Sequence, residues 1–208
     1  QKPVNLVWKA ELGSRSMGQP VIANGRILIG SNNEKPRNPN DFRKNLEGDV
    51  VPIDKGILMC FEAATGKFLW QAAHEKLPEF INDTPNAGIV STPAIDGDRA
   101  YYISNRCELV CVDMNGPKIG TDAVFHWKID LIKDYKVFPY MHRCAPQPVC
   151  SPVIVDDAVY IITGNGVDET STKVPSPDAP SFMAFDKLTG KLLWKDSSPG
   201  KSIMHGQW

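Results

Sequence analysis

The sequence predicts an all-β protein assembled from repeated four-stranded antiparallel units. Residues 58–70 (LMCFEAATGKFLW) align without a gap with residues 182–194 (FMAFDKLTGKLLW), which identifies an internal repeat. Short β-rich runs flank tight-turn dipeptides such as Asn24-Gly25. The 17 prolines and 16 glycines break the apolar stretches into pieces too short for long helices. Only short insertions such as residues 130–138 are expected to be helical.

Each repeat begins with a predicted β-hairpin. The three first halves lie at residues 17–32, 89–105 and 148–165. At the centre of each stands a dipeptide that accepts the positive φ of a tight turn. These dipeptides are Asn24-Gly25, Asp96-Gly97 and Asp156-Asp157.

The second half of each repeat predicts another hairpin. In the first repeat, strands at residues 58–62 and 67–71 are joined through Ala-Ala-Thr-Gly. Gly66 permits a left-handed backbone there, and the hydroxyl of Thr65 can bond nearby main chain. Two hairpins give four antiparallel strands, which is the blade of a β-propeller.

Polar insertions lengthen the repeats, and a less regular copy stands between the two regular ones. The copy at residues 108–116 is interrupted before it resumes around Trp127, and Trp8 has similar surroundings ahead of the first copy. The insertions are residues 32–55, 78–86 and 170–180. Their prolines and charges favour stiffened, solvated loops, which suit either a recognition surface or passive surface elaboration.

The repeat resembles the PQQ-like repeat of quinoprotein alcohol dehydrogenase-like propellers. Its pattern is Ala-x-Asp, then Thr-Gly, with Trp four residues after Gly. The last copy matches throughout, with Ala184, Asp186, Thr189, Gly190 and Trp194. The first copy has Cys60 and Glu62 at the first two positions, and the middle copy keeps Asp113 and Gly116 but loses the Thr-Gly spacing. Within this family, the chain resembles BamB-type proteins and, in its insertions, exported propellers of planctomycetes.

The resemblance implies that each repeat tryptophan docks between its own blade and the next. An indole buries a large area at little cost in conformational entropy, so a structural role is the first expectation. The residues expected to form these contacts are Trp8, Trp70, Trp127, Trp194, Thr65, Gly66, Asp113, Asp186, Thr189 and Gly190.

The whole of residues 1–208 is interpreted as one partial propeller domain. Blades are expected at about residues 14–75, 87–130 and 145–197, with residues 1–12 as the outer strand of a preceding blade and 202–208 opening a following one. Since propellers close with about four to eight blades, the chain is expected to form about three blades of a seven- or eight-bladed ring. The remaining blades would come from the parent chain or a partner chain.

Composition narrows the classes of partner. Lys and Arg number 23 against 24 for Asp and Glu, so no basic field is present to attract nucleic acid or anionic lipid. No apolar window is long enough to span a bilayer, and no secretory signal pattern is present. The expected periplasmic or other extracytoplasmic location therefore rests on the family resemblance.

The five cysteines lack any CxxC spacing typical of zinc or redox sites. They are Cys60, Cys107, Cys111, Cys144 and Cys150. Buried apolar thiols on strands are the first expectation. A disulfide between Cys144 and Cys150 is the alternative.

Two functions are compatible with these patterns. The favoured one is a binding or scaffold module whose loops hold a protein, peptide or glycan partner, because the sequence lacks the GxSxG, HExxH, phosphate-loop and dinucleotide motifs of common enzymes. The alternative, which the resemblance implies, is a dehydrogenase of alcohols or sugars that uses PQQ above a Ca²⁺ ion. PQQ and Ca²⁺ are expected only under this alternative, and the favoured function requires no cofactor or metal ion.

Two groups of residues are candidates for a site in the central funnel. Asn165, Asp168 and Glu169 offer a local set of oxygen atoms, the ligands that Ca²⁺ prefers. His142 with Arg143 and His205 stand in matching loops ahead of two blades, where they could present titratable or cationic groups. Ordinary loop residues with satisfied hydrogen bonds remain the competing interpretation for both groups.

Overall fold

A computed structural model describes residues 5–78, 84–139 and 150–203. Within these ranges the chain forms three four-stranded antiparallel sheets and one two-stranded hairpin, which confirms the all-β propeller-blade prediction.

The first blade comprises β1 (Val21–Ala23), β2 (Arg26–Asn32), β5 (Lys55–Glu62) and β6 (Phe68–Glu75), with β3 (Phe42–Lys44) and β4 (Val50–Pro52) as the extra hairpin. The second comprises β7 (Ala94–Asp96), β8 (Arg99–Ile103), β9 (Glu108–Asp113) and β10 (Phe125–Asp130), followed by α1 (Leu131–Tyr135). The third comprises β11 (Val153–Val155), β12 (Ala158–Ile162), β13 (Phe182–Asp186) and β14 (Leu192–Asp196), followed by a 3₁₀ turn (Gly200–Ser202).

The strands of each blade follow one another as a meander, so successive connections lie at opposite ends of the strands. Each of these two sets of strand ends is here called an edge of the blade. One edge, here called the turn edge, carries the connections after the first and third strands, which are tight turns except for residues 114–124 between β9 and β10. The other, the insertion edge, carries the segments between blades and between the second and third strands, and the latter are long in the first and third blades but only residues 104–107 in the second. Contacts between neighbouring blades keep like edges together: Asn24 donates to the Gly97 carbonyl at 2.7 Å on the turn edge.

Alternation along the inner strands buries both faces of the middle blade. Tyr102, Val110 and Val112 pack towards the first blade. Their sequence neighbours Tyr101 and Cys111 pack towards the third. Because side chains alternate along a strand and both faces are covered, the strand is apolar almost throughout.

The predicted helical insertion is confirmed as α1. Asp130 caps its first turn by accepting the Lys133 N–H at 2.9 Å. Lys136 ends the helix in a left-handed conformation with φ of 59°. The helix lies on the second blade and buries Leu131.

The four cysteines that the described ranges contain are buried, free thiols: Cys60, Cys107, Cys111 and Cys150. Burial raises the pKa of Cys60 to about 12 and that of Cys150 to about 11, which keeps both as thiols. Cys144, the other half of the alternative disulfide, lies outside the described residues.

Indoles contact the glycines of neighbouring turns at each blade junction. Trp8 donates its Nε1–H to the Ala63 carbonyl at 3.0 Å and lies against Gly66, whose φ is +73°. Trp70 donates to the Met114 carbonyl at 3.3 Å and lies against Gly116. A Cβ on Gly116 would come within 2.1 Å of the Trp70 ring, so only glycine permits this approach.

The junction between the second and third blades uses a different donor. Trp127 lies against Gly190 in the same manner, but its buried Nε1–H has no hydrogen-bond partner among the residues that the structure describes. The Lys187 carbonyl, which corresponds to the acceptors of Trp8 and Trp70, instead accepts the Tyr101 hydroxyl at 3.0 Å. A phenol has therefore taken the position of the indole as donor.

The turn side chains predicted from the repeat make short local hydrogen bonds. Asp186 accepts both the Thr189 N–H and its hydroxyl at 2.7 Å. The Thr65 hydroxyl donates to the Glu62 carboxylate. Asp113 accepts the Asn115 N–H at 2.8 Å. These contacts hold the turns in the conformation that presents the glycines.

The outer face of the third blade exposes its tryptophan. Trp194 is 45% exposed and its ring centroid lies 6.0 Å from that of Tyr160. These rings border a cavity of about 390 Å³ that Val153 and Phe182 also line. Trp194 thus has no indole-on-glycine contact within the described residues.

Replacing Trp70 with Ala is expected to lower the free energy of unfolding by about 3–5 kcal/mol, because a fully buried indole is removed from between two blades. Trp194→Ala is the control, and its half-exposed side chain predicts a clearly smaller loss. Chemical denaturation of both variants measures the difference. Equal losses would contradict a special role for the docked indole.

Gly116→Ala and Gly25→Ala separate the steric contact from backbone strain. Both glycines have φ of +72°, but a Cβ on Gly25 would meet nothing within 4 Å. Left-handed strain of about 1–2 kcal/mol is expected in both, and overpacking against Trp70 adds about 1–3 kcal/mol in Gly116→Ala alone. Thermal or denaturant unfolding gives both values, and matching values would argue against the clash.

Candidate functional site on the insertion edge

Buried polar side chains concentrate on the insertion edge. One asparagine lies at or just after the end of the second strand of each blade, in the sequences SNN, SNR and TGN. Asn32 accepts the Ser14 N–H at 3.0 Å and donates to the Asn86 carbonyl at 2.7 Å. The corresponding residues are Asn105 and, one position further along its repeat, Asn165. Because a buried amide must satisfy its hydrogen bonds, these residues fix the connecting segments to the blades.

The hairpin β3–β4 is held to the first blade by an ionic network in which Asp41 and Lys55 are largely buried and Glu75 is exposed. Lys55 Nζ lies 2.8 Å from Asp41 Oδ1 and 2.6 Å from Glu75 Oε1. Asn33 donates to both Asp41 and the Ile53 carbonyl. Burial alone would lower the pKa of Lys55, but the two carboxylates outweigh it and raise that pKa, so the ammonium persists.

The tip of this hairpin is also organised by its own side chains. Asn45 Oδ1 accepts the N–H groups of Glu47 and Asp49 at 3.0 and 2.9 Å. Gly48, with φ of +90°, completes the turn. The insertion at residues 32–55, expected to be a solvated loop, therefore contains a built hairpin with a fixed root and a fixed tip.

One face of the hairpin presents apolar side chains to solvent. Phe42 pairs with Pro52 and Lys44 with Val50 across the strands. Phe42 is 41% exposed, Val50 is 66% exposed, and Leu46 at the tip is fully exposed. Exposed apolar groups on an ordered element are typical of a surface that contacts another protein.

A second polar cluster lies at the junction of the first two blades. His74 on β6 is 3% exposed, and its Nε2 lies 2.7 Å from the Tyr102 hydroxyl. His74 Nδ1 lies 3.3 Å from Glu108 Oε2, which also accepts the Ser104 hydroxyl at 3.0 Å. Arg106 Nε approaches the other Glu108 oxygen at 3.6 Å.

Electrostatics favour a neutral His74 beside an ionised Glu108. Burial lowers the pKa of His74 and outweighs the opposing effect of Glu108. Burial would raise the pKa of Glu108, but the hydrogen bonds from His74 and Ser104 and the charge of Arg106 hold it below its usual value. Sequence alone gave no function to His74, because its partners are distant in the chain.

The candidate Ca²⁺ ligands are engaged in local structure. Asn165 Oδ1 accepts the Phe138 N–H at 2.9 Å, and its Nδ2 donates to the Ser176 carbonyl at 2.9 Å. Asp168 Oδ1 accepts the Thr170 hydroxyl at 2.6 Å, and this bond, with nearby N–H groups, lowers the pKa of Asp168. Glu169 is exposed.

Two further observations concern metal-binding groups and membrane-spanning helices. No group of three or more His, Cys, Asp or Glu side chains suitable for a metal ion occurs in residues 5–78, 84–139 and 150–203. In the same ranges no helix is long and apolar enough to cross a bilayer. The candidates His142, Arg143 and His205 lie outside the described residues.

Asp41→Asn is expected to loosen the root of the hairpin, because it removes one counterion of a buried ammonium and leaves Glu75 as the other. Limited proteolysis should cut residues 33–54 several times faster than in the wild type. Glu11→Gln is the control, since the Lys35–Glu11 pair is exposed and worth at most about 1 kcal/mol. Cleavage at the wild-type rate in Asp41→Asn would show that the ionic network does not hold the hairpin.

Comparison with known proteins agrees with this architecture. A family model described as outer membrane protein assembly factor BamB matches residues 54–206. No curated protein matches the sequence. Among solved structures, the chain is similar to BamB from Moraxella catarrhalis, with 17% identity, a TM-score of 0.49, and coverage of 86% of this chain and 37% of that one.

Two dehydrogenase structures are also similar. For a europium-containing methanol dehydrogenase the identity is 12% and the TM-score 0.52, over 92% of this chain and 26% of that one. For quinohemoprotein alcohol dehydrogenase from Comamonas testosteroni the values are 13% and 0.48, over 89% and 21%. The chain thus spans well under half of each structure, and the methanol dehydrogenase likeness shows the fold alone. The family match covers most of the chain, which therefore belongs to the PQQ-like β-propeller family represented by outer membrane protein assembly factor BamB.

Proposed function

We propose that this chain is part of an extracytoplasmic propeller that binds a protein or peptide partner through its insertion edge and acts as a scaffold. The ordered hairpin β3–β4 carries this proposal, because it combines exposed Phe42, Leu46 and Val50 with a buried ionic root. A preordered apolar element loses little conformational entropy on binding, which favours protein recognition. The family description, an outer membrane protein assembly factor, supports both the location and the class of partner.

The local geometry gives the alternative of a PQQ- and Ca²⁺-dependent dehydrogenase no comparable support. Calcium requires about six to eight convergent oxygen ligands. Asn165 and Asp168 use their oxygens to hold backbone and side-chain groups of their own loops. The residues described here therefore do not fit the ion, and no catalytic step is assigned to them.

Affinity capture with the intact parent protein tests the scaffold function. The double variant Leu46→Asp and Val50→Asp places charges on the exposed face of the hairpin and should weaken partner binding at least thirtyfold, the effect of losing about 2 kcal/mol at an interface centre. Leu188→Asp is the matched control, since Leu188 is 56% exposed on the turn edge. Capture from an envelope extract, followed by affinity measurement with the purified partner, gives the comparison.

Equal binding by wild type and the hairpin variant would contradict recognition by this hairpin. Calorimetric titration with PQQ, with and without Ca²⁺, tests the competing function in the same preparation. Tight calcium-dependent binding would favour the dehydrogenase and overturn the scaffold proposal as the principal function.

A further inference from the structure

The His74 cluster joins two blades through a chain of hydrogen bonds that depends on the protonation of one ring. Trp70, Ala72 and His74 alternate along β6 and face the second blade. From that blade, Tyr102 on β8 and Glu108 on β9 meet the two ring nitrogens of His74. The contact therefore lies between blades rather than within one.

The geometry suits a neutral imidazole that carries its proton on Nδ1. In that tautomer Nδ1–H donates to Glu108, and Nε2 accepts the Tyr102 hydroxyl. Protonation of Nε2 would place two donors, the Nε2–H of His74 and the hydroxyl of Tyr102, against each other. This is costly because Tyr102 is fully buried and its hydroxyl would lose its acceptor.

The other charges around the ring do not remove this cost. Lys128 on β10 and Arg106 in the β8–β9 turn both disfavour another positive charge at the ring, and within the described ranges Glu108 is the carboxylate that contacts it. Phe125 packs edge-on against the His74 ring, and the two ring centroids lie 5.9 Å apart. On the first blade, Lys55 and Glu75 pair with each other at 2.6 Å.

The second junction provides an internal comparison. Leu131 stands four residues after Trp127, as His74 stands four residues after Trp70. Leu131 belongs to an apolar cluster with Ile161 and Phe185. The described part of that junction contains no histidine in its core, so its packing does not change with imidazole protonation.

We propose that the junction between the first and second blades is a proton-sensitive joint, in which protonation of His74 on mild acidification weakens the contact between these blades and leaves the second junction unchanged. This joint does not depend on the proposed scaffold function. Because burial lowers the pKa of His74 below the usual value of about 6.5, the folded junction binds fewer protons than the opened one. Its stability is therefore complete above about pH 6.5 and is lost as the pH falls below that value.

Amide hydrogen exchange on the intact chain between pH 7.5 and 5.5, corrected for intrinsic exchange rates, tests the joint. As the pH is lowered from 6.5, we expect the protection of residues 70–75 and 102–108 to decrease, by up to tenfold per pH unit if one proton is bound. Residues 158–162 and 182–186 should keep their protection. In His74→Gln, whose amide can still accept from Tyr102 and donate to Glu108, the pH dependence should disappear.

His126→Gln is the matched control, because His126 is exposed on β10 of the second blade and its replacement should leave the pH dependence intact. Equal loss of protection at both junctions, or a persistent pH dependence in His74→Gln, would overturn the proposal. If His74→Gln fails to fold, Tyr102→Phe replaces it. Removal of the hydroxyl should then raise the NMR titration midpoint of His74, and an unchanged midpoint would equally overturn the proposal.

Discussion

The close approach of an indole to a glycine turn is the contact on which the arrangement of these blades depends. Trp70 reaches the Gly116 turn only because no Cβ stands in the way, and the Met114 carbonyl of the same turn accepts the indole N–H. The contact fixes the separation of two sheets at their outer strands. With the spacing fixed, alternate side chains of the inner strands fill the space between blades, which accounts for the apolar runs of β5, β8 and β9.

Much of this arrangement follows from sequence because it is local and repeated. The hairpins could be predicted from dipeptides such as Asn24-Gly25, and the gapless repeat gave the four-stranded unit. The hairpin β3–β4 was not predicted, since prolines and charges outnumber β-branched residues along residues 32–55 and favour a loop. Its root is held through Lys55, the last residue of that stretch, which pairs with Asp41 and with Glu75 on β6.

The candidate site was harder to predict for the same physical reason. His74 meets Tyr102, which is 28 residues away in the chain, and no local pattern records that contact. Residue type alone makes Asn165 a candidate Ca²⁺ ligand. In the structure its buried amide instead accepts the Phe138 N–H and donates to the Ser176 carbonyl, so that it connects two segments of the chain. A usable signal was present in the asparagine near the end of the second strand of each of the three repeats, because corresponding parts of a repeat have similar structural roles.

The exchange of hydrogen-bond donor at the second junction has a consequence for how such a ring is assembled. Trp70 satisfies the Met114 carbonyl with its own indole, whereas Tyr101 satisfies the Lys187 carbonyl and leaves the Trp127 N–H unpaired. At each junction, the donor and acceptor groups of the two neighbouring blades are thus matched in a different way. Similar repeats are consequently not interchangeable parts, and the order of the blades around the ring is encoded in the chemistry of their shared boundaries as well as in the continuity of the chain.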